Sequence, residues 1–383
     1  MINLVKDTIS NDEIDSLGSW LKTYPKLTKG SLTESFEEKW SDWLGVKHSV
    51  FVNSGSSANL AMFYALKVSG RLKNDKVIVP CVSWTTTLSP VIQLGLQPIL
   101  CEASESDLGL NTDIFEELCK EHNPACVILV HVLGFPNHME EILRICEKYD
   151  VILLEDSCES VGTVVQPGNK KTGSMGLMSS FSTYFGHHFS TIEGGLVSTN
   201  DFKLYEILKS IRSHGWSRDL SEETRKSLRE EHNVDTFSEL YTFYYPGFNI
   251  RSTDLQAFIG INQLDNLSSK NKRRYTNLLT YDRLIKNDYW KVKFDGFVSN
   301  FAYPVIHPNR DRIVKALNFN NIECRPLVCG NMAQQPYFKK LYGSHVFSFA
   351  DKVHSEGLYV PNHPDLSEHD IEKICSIINQ ETT

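Results

Sequence analysis

In the stretch Val151-Ile152-Leu153-Leu154-Glu155-Asp156-Ser157-Cys158-Glu159, four apolar residues run directly into two carboxylates. A short, continuous apolar run predicts a strand that is buried on both faces, as in parallel sheets covered by helices. In such sheets ligands bind at the carboxyl ends of the strands. The residues that follow this strand and its neighbours are therefore where we expect the chemistry of the protein to lie.

Six further apolar runs rich in Val and Ile flank this one, and helical patterns separate several of them. This alternation predicts an α/β fold with a mostly parallel seven-stranded sheet. The predicted strands span residues 49–53, 77–81, 97–101, 125–132, 151–155, 178–183 and 195–199, and the predicted helices between them span 56–67, 111–122, 138–149 and 201–213.

Two helices are predicted before the first strand. One covers residues 11–22, and the second starts at Ser31-Leu32-Thr33-Glu34, which has the form of a capping box. Beyond the last strand, the polar and highly charged stretch 217–240 predicts a helical insertion on the surface.

The C-terminal third has a different pattern. The stretch from Gly247 to Asp254 leads into a long helix, and the remainder predicts a smaller α+β domain ending in a helix capped at Ser367-Glu368-His369-Asp370. We therefore divide the chain into a large domain with the N-terminal helices, residues 1–250, and a small C-terminal domain, residues 251–383.

The composition excludes several classes of protein. The 383 residues are 41% hydrophobic and 22% charged, which excludes a disordered or fibrous chain. No apolar run reaches the ~20 residues that span a bilayer, and we recognise no signal peptide, so a cytoplasmic protein without a membrane partner is expected. The net charge of −8 argues against nucleic-acid binding. Nine scattered cysteines without a Cys-x-x-Cys pair indicate reduced thiols.

Two candidate binding elements follow the earlier strands. The small residues of Ser54-Gly55-Ser56-Ser57 precede a predicted helix, whose exposed N–H groups and dipole favour a phosphate. An ordinary serine N-cap with a glycine turn explains the same residues. Trp84, after the next strand, is suited to stacking on a planar ring, although a core tryptophan gives the same pattern.

Asp156 and the pair His187-His188 are the candidates for acid–base chemistry. An ionised carboxylate at a strand end can hold a pyridine nitrogen protonated, whereas a metal-binding or helix-capping aspartate is the alternative. Adjacent histidines suggest acid–base work or a metal. Because no third ligand stands at a zinc-site spacing, no metal is expected. A histidine pair without a role is the remaining alternative.

The order and spacing of these segments resemble the sugar-nucleotide aminotransferases of the DegT group, a family of fold-type-I pyridoxal-phosphate enzymes. The resemblance also includes Gly247-Phe248-Asn249-Ile250-Arg251 and the run from Ser182 to Glu193-Gly194-Gly195. It implies an aspartate aminotransferase-like fold and an obligate homodimer with active sites at the subunit interface.

His187 stands where that family keeps the lysine that binds the cofactor covalently, six residues before Glu193. An imidazole forms no stable Schiff base with pyridoxal phosphate, so the resemblance implies a cofactor that is held non-covalently. Gly186-His187-His188, Arg212-Ser213-His214-Gly215-Trp216 and Arg325-Pro326 are similar to the lysine-less dehydratase branch of the family.

That branch implies a lyase that removes the C3 hydroxyl of a nucleotide-linked 4-keto-6-deoxy sugar, with His187 as base. The working cofactor would be pyridoxamine 5'-phosphate, regenerated from pyridoxal 5'-phosphate by glutamate as amino donor. The implied substrate is GDP-4-keto-6-deoxymannose or a related GDP-heptose, and the implied pathway is dideoxysugar biosynthesis for O-antigen or capsule polysaccharide.

The resemblance also assigns roles to single residues. Most aminotransferases of the group have Gln where this chain has Glu159, and ordinary surface or ion-paired side chains remain an alternative for the substrate-binding set. The cofactor-binding residues are Gly55, Ser56 and Ser182 (phosphate), Trp84 (stacking), Asp156 (ring nitrogen), Glu159 (ring hydroxyl) and Asn249 (phosphate of the neighbouring subunit's site), and the substrate-binding residues are His214, Arg251 and Arg325.

Three other readings of the same residues remain. One is a nucleotide-sugar 4-aminotransferase that has acquired a catalytic histidine. Another is a CDP-sugar dehydratase assisted by an iron–sulfur cluster, against which the absence of a tight cysteine cluster counts. The third is a non-catalytic scaffold, against which the retained Asp156, Ser182 and Asn249 count.

Overall fold

The computed structural model describes residues 1–166 and 168–382. The strands are β1 His48–Val52, β2 Lys76–Pro80, β3 Gln97–Cys101, β4 Cys126–Val130, β5 Ile152–Asp156, β6 Val164–Val165, β7 Lys170–Lys171, β8 Met178–Ser182, β9 Gly195–Thr199, β10 Ala302–Ile306, β11 Arg325–Pro326 and β12 Gly357–Pro361. The helices are α1 Asn11–Leu21, α2 Ser31–Leu44, α3 Gly55–Val68, α4 Thr85–Gln93, α5 Thr112–His122, α6 Met139–Tyr149, α7 Phe202–Arg212, α8 Glu222–His232, α9 Asp254–Leu284, α10 Arg310–Phe319, α11 Pro336–Tyr342, α12 Ser348–Glu356 and α13 Glu368–Thr382.

Seven strands form the central sheet, in the order β1-β9-β8-β5-β4-β2-β3. β9 runs antiparallel to β1 and β8, and the other neighbouring pairs are parallel. Every residue of β4, β8 and β9 is buried, as expected for strands covered on both faces. The predicted α/β fold and seven-stranded sheet are confirmed.

The predicted elements of the sheet region agree with the observed ones to within one or two residues. Helix α4 was not predicted, and it carries Pro90 in its interior, a residue that normally indicates the end of a helix. The charged stretch 217–240 contains α8, which buries none of its residues, as predicted for a surface insertion.

The predicted capping box at the start of α2 is wrong. The N-cap is Gly30, which offers no side-chain acceptor. Instead the carboxylate of Asp254, the first residue of α9, accepts hydrogen bonds from Gly30 N (2.7 Å), Thr33 N (2.9 Å) and Thr33 Oγ1 (2.7 Å). A residue distant in sequence therefore satisfies the free N–H groups of α2 and locks it to α9.

Helix α9 is shared by two hydrophobic cores. Its first half packs Ala257 and Leu267 against Phe36 of α2, beside the central sheet. Its second half packs Leu278 and Tyr281 into a core with α10, α13 and the antiparallel sheet β10-β12-β11. The division at residues 250 and 251 remains a prediction, because the helix that follows it belongs to both cores.

None of the helices in the described parts of the chain is long and apolar enough to cross a membrane. The nine cysteines are free thiols in the structure, and six of them are buried.

Replacing Asp254 with Ala should destabilise the protein, because the N–H groups of Gly30 and Thr33 would lose a buried charged acceptor. We expect the free energy of unfolding, measured in urea, to fall by about 2 kcal/mol. The control is Asp42→Ala on the exposed face of α2, which should change it by less than about 0.5 kcal/mol. Equal losses in both variants would show that Asp254 does not cap α2.

Candidate active site

The carboxyl end of β5 places Asp156 in a buried position at the edge of the sheet. Its Oδ2 accepts hydrogen bonds from Asn59 Nδ2 on α3 and from Thr87 Oγ1 on α4, both at 2.8 Å, and its Oδ1 accepts one from Cys158 N at 3.3 Å. Contacts from three elements therefore fix the orientation of this carboxylate.

A cradle for a small anion lies beside Asp156, at the N-terminus of α3. The Ser54 side chain caps the helix by accepting from Ser57 N at 3.0 Å, and Gly55 and Ser56 form the first turn. A Cβ on Gly55 would lie 2.7 Å from Ser182 Cβ at the end of β8. This close approach brings the helix N-terminus and the Ser182 side chain to one place, an arrangement that suits a phosphate.

Trp84 is the N-cap residue of α4 and follows β2. The structure excludes the core alternative, because 54% of its surface is exposed. An indole that stays open to solvent next to the Asp156 partner Thr87 offers a free face to a planar ring.

His187 lies in the turn between β8 and β9. Its Nδ1 lies 2.9 Å from the carbonyl oxygen of Cys158, and since a carbonyl only accepts, Nδ1 carries the proton and Nε2 is left as the basic atom. Its ring lies 5.4 Å from that of Phe301. Burial lowers the pKa of His187 to about 4, although the hydrogen bond to Cys158 and the charge of Asp156 oppose that shift. The imidazole is therefore neutral at physiological pH.

His188 has a different role from its neighbour. It is fully buried, and its Nε2 donates to the carbonyl oxygen of Ser299 at 2.9 Å. Within residues 1–166 and 168–382, no group of three His, Cys, Asp or Glu side chains could hold a metal ion. The next residue, Phe189, stacks on Trp40 of α2 at 5.5 Å, so the end of this turn is anchored in the core.

The three carboxylates after the apolar run of β5 occupy three environments. Glu155 accepts hydrogen bonds from Gly173 N and Met175 N and contacts His131, so it holds a loop and is not available for chemistry. Glu159 Oε2 accepts one hydrogen bond, from Leu133 N at 2.7 Å. Burial raises the pKa of Glu159 to about 7, so this carboxyl can gain or lose a proton near neutral pH.

His214, Asn249 and Arg251 form a second cluster, next to the carboxyl end of β1. Arg251 Nε donates to Asn249 Oδ1 at 3.0 Å, and its Nη2 lies 3.4 Å from His214 Nε2. None of the three has a hydrogen bond or ion pair to Asp156 or His187 in the described chain. The structure thus groups these three residues with one another, beside the end of β1.

Arg251 also lines a cavity of about 190 Å³ that the sequence analysis missed. The Ser213 hydroxyl and the Trp216 indole N–H in its wall are buried and have no hydrogen-bond partner in the described residues. The segment Arg212-Ser213-His214-Gly215-Trp216, which is similar to the dehydratase branch, contains both donors and is the sequence signal that could have indicated this cavity. Four cations and one carboxylate line the same wall, and Lys29 is ion-paired with that carboxylate, Asp219, at 3.1 Å. The excess of positive charge suits an anion; the cations are Lys26, Lys29, Arg218 and Arg251.

Arg325, the remaining candidate, lies in β11 and is exposed. Its Nη2 forms an ion pair with Glu323 at 2.9 Å. In the register of the small sheet, Arg325 of β11 lies opposite Tyr359 of β12. Tyr359 contacts Phe301, and Phe301 contacts His187. Arg325 is therefore connected to the His187 site through two aromatic side chains of the C-terminal region.

The sequence profile of the DegT/DnrJ/EryC1/StrS aminotransferase family matches residues 7–379. The chain belongs to this family. It is 35% identical over 367 residues to the GDP-4-keto-6-deoxy-D-mannose 3-dehydratase of Yersinia pseudotuberculosis, covering 92% of each chain. It is 35% identical over 349 residues to the enzyme of the same name from Escherichia coli O55:H7, covering 88% of this chain and 89% of that one.

The fold is also that of solved structures in this family. The crystal structure of a GDP-4-keto-6-deoxymannose-3-dehydratase with a trapped PLP-glutamate geminal diamine has a TM-score of 0.88 to this chain at 30% identity, and the match covers 99% of this chain and 100% of that one. The Escherichia coli enzyme with bound hydrated PLP, at 31% identity, has the same TM-score and covers 99% of each chain.

The residues present fit the family cofactor, pyridoxal phosphate. The Gly55–Ser182 cradle suits its phosphate, the exposed Trp84 suits its ring and the fixed Asp156 suits its ring nitrogen. Lys171, a nearby amine in sequence, donates from its Nζ to the carbonyl oxygen of Trp43, away from these groups.

Replacing Gly55 with Ala should weaken cofactor binding, because the new Cβ would press on Ser182 and widen the cradle. An overpacked site costs about 1–3 kcal/mol, so pyridoxal phosphate should bind about tenfold less tightly or worse. Absorbance titration measures this. Gly18→Ala on α1, where a Cβ meets nothing within 4 Å, is the matched control and should bind as the parent does. Unchanged affinity in the Gly55 variant would show that the cradle does not bind the cofactor phosphate.

Proposed function

We propose that this chain is a PLP/PMP-dependent sugar 3-dehydratase. Its substrate is a nucleotide-linked 4-keto-6-deoxy sugar, GDP-4-keto-6-deoxymannose or a related GDP-heptose, and glutamate regenerates the amine form of the cofactor. The observation that carries the proposal is His187: a neutral imidazole with a free Nε2 stands at the position of the family's lysine, within a site that otherwise fits the cofactor.

When bound, the cofactor supplies an amine that condenses with the 4-keto group and an electron-poor ring that takes up an electron pair. Asp156, held by Asn59 and Thr87, pairs with the ring nitrogen and keeps the ring electron-withdrawing. Gly55, Ser56 and Ser182 hold the phosphate, and Trp84 covers one face of the ring. These residues bind and orient the cofactor without a covalent bond.

His187 moves the proton on which the reaction depends. Its Nε2 takes a proton from the cofactor's benzylic carbon and then gives it to the hydroxyl that leaves sugar C3, which departs as water. Since Nδ1 is already committed to the Cys158 carbonyl, one nitrogen serves both steps. Hydrolysis then releases a 3-deoxy-4-keto sugar and ammonia.

Glu159 lies three residues after Asp156 and exchanges a proton with the cofactor's ring hydroxyl. Its pKa of about 7, raised by burial, suits this exchange near neutral pH. A glutamine at this position would donate a hydrogen bond but could not take up a proton.

Asn249, His214 and Arg251 act on the site of the neighbouring subunit in an obligate homodimer. The family resemblance suggests this assignment, and two observations support it. None of the three has a hydrogen bond or ion pair to Asp156 or His187 among the described residues, and three apolar side chains on the His187 turn are exposed, namely Tyr184, Phe185 and Ile192. The cationic cavity beside Arg251 receives the diphosphate of the nucleotide sugar, and Arg325 receives the glutamate carboxylate.

The test is to incubate the protein with GDP-4-keto-6-deoxymannose, glutamate and pyridoxal phosphate. Mass spectrometry should show loss of one oxygen from the sugar, and an enzymatic assay should show an equal amount of ammonia. A 4-amino sugar as the main product would instead establish the aminotransferase. Failure to bind the cofactor at all would instead support a non-catalytic scaffold protein.

Replacing His187 with Lys should restore the covalent bond to the cofactor, because a lysine amine forms the adduct that imidazole cannot. Borohydride should trap the cofactor on the variant but not on the parent protein. Loss of a positioned acid–base group should lower the dehydratase rate by about 10²- to 10⁴-fold. His188→Lys is the control at the neighbouring position, and a covalent adduct there but not at position 187 would contradict the assignment.

A further inference from the structure

Leu133 connects Glu159 to the C-terminal part of the chain. It lies in a short 3-10 turn after β4 and has φ +52, a left-handed conformation that is unfavourable for leucine. Its N–H donates to Glu159 Oε2 at 2.7 Å, the one hydrogen bond that the Glu159 side chain receives from the described residues. Something must therefore hold this peptide in place against its backbone preference.

The carbonyl of Leu133 is held from the opposite side by two donors. Phe301 N lies 2.9 Å and Asn300 Nδ2 lies 2.8 Å from the Leu133 oxygen. Asn300 is fully buried, and its amide is otherwise occupied: Nδ2 also donates to Ala302 O at 2.8 Å and Oδ1 accepts from Asn362 Nδ2 at 2.7 Å. The Asn300 side chain is thus fixed in orientation, and it fixes the Leu133 peptide.

A buried arginine fixes the same segment of backbone. Arg274 of α9 donates to the carbonyl oxygens of Phe301 (3.0 Å) and Asn362 (2.8 Å), and among the described residues no carboxylate pairs with it. Burial lowers the pKa of Arg274 to about 10, so it remains charged at neutral pH. The segment that it holds presents the Phe301 ring to His187 and the Asn300 amide to Leu133.

We propose that Asn300 is a positioning residue for the reaction: through the Leu133 peptide it holds the N–H that binds Glu159, and it thereby sets the pH at which this carboxyl exchanges its proton. This inference rests on the proposed function for the use made of that proton. The contacts join Asn300 and Phe301, just before β10, to Leu133 in the turn after β4. The C-terminal region therefore supports the proton chemistry at the edge of the central sheet.

The sign of the effect follows from the hydrogen bond. Burial raises the pKa of Glu159, the Leu133 N–H lowers it by favouring the ionised carboxylate, and the charge of Asp156 raises it. The other titratable groups that face Glu159 are Cys158, Cys329 and Tyr359, and none of them is changed in the variants below. In Asn300→Ala the Leu133 peptide loses a restraint and can leave its left-handed conformation. Glu159 should then ionise about one pH unit higher, since a hydrogen bond to a charged group contributes about that much.

The experiment titrates the protein labelled with ¹³Cδ-glutamate, without cofactor, and follows the carboxyl signals by NMR. Glu159→Gln identifies the signal of Glu159, which should move to higher pH in Asn300→Ala. With cofactor and substrate, the ionisation near pH 7 in the pH profile of kcat/KM should shift in the same direction. In Glu159→Gln that ionisation should vanish.

Two further variants separate positioning from a general loss of stability. Asn287→Ala removes another buried asparagine, whose Nδ2 donates to Ile306 O at 3.0 Å, and should leave the Glu159 titration unchanged. Leu133→Gly added to Asn300→Ala removes the penalty on φ +52 and should return part of the shift.

An unchanged titration of Glu159 in folded Asn300→Ala would overturn the inference, as would an equal shift in Asn287→Ala. If Asn300→Ala does not fold, Asn300→Ser is titrated instead, and the absence of a shift in that variant has the same meaning. The NMR result needs no substrate. A shift without dehydratase activity would therefore support the positioning role and contradict the proposed function. Activity without a shift would support the proposed function and contradict the positioning role.

Discussion

The hydrogen bond from His187 Nδ1 to the carbonyl oxygen of Cys158 is the contact on which the site depends. It ties the turn between β8 and β9 to the segment that leaves β5, two places that are distant in sequence and adjacent in the sheet. It also determines the tautomer, because a carbonyl accepts only a donated proton. Burial keeps the ring neutral, so Nε2 is an acceptor at any physiological pH. A surface histidine would be partly protonated over the same range.

The environment distinguishes the three carboxylates that follow β5, although their sequence context is nearly the same. Glu155 is surrounded by backbone N–H groups and holds a loop. Asp156 is fixed by neutral side chains from α3 and α4, which leaves its charge for a ligand. Glu159 receives a single N–H in an enclosed place, and its pKa rises to about 7. Desolvation without matching hydrogen bonds is what makes the third of them able to titrate.

The sequence predicts the sheet well because most of its strands are buried on both faces and therefore appear as apolar runs with clear ends, as in β4 and β8. It predicts local caps less well. The acceptor that caps α2 is Asp254, and no pattern within a few residues of Ser31 shows it. Helix α4 is not predicted from the sequence, because Pro90 lies within it and a proline normally indicates the end of a helix. In the site, the strand end indicated Asp156 and the family resemblance indicated His187, and the fold places the two on adjoining segments. The role of Leu133 could not be predicted, because it depends on a backbone angle and on donors from Asn300 and Phe301.

In the proposed reaction, the difference between a lysine and His187 is one of reach as well as basicity. A lysine amine sits on a flexible four-carbon stem and can deliver a proton to more than one carbon. The imidazole is held at Nδ1 by Cys158 and contacts the tilted ring of Phe301 at 5.4 Å, so its Nε2 can reach only a small volume. A base with so little freedom returns its proton to whatever group lies in that volume. If the leaving C3 hydroxyl lies there and sugar C4 does not, elimination precedes amination without any other change in the cradle. The outcome of the reaction then follows from the geometry of one side chain, which the fold fixes from two directions.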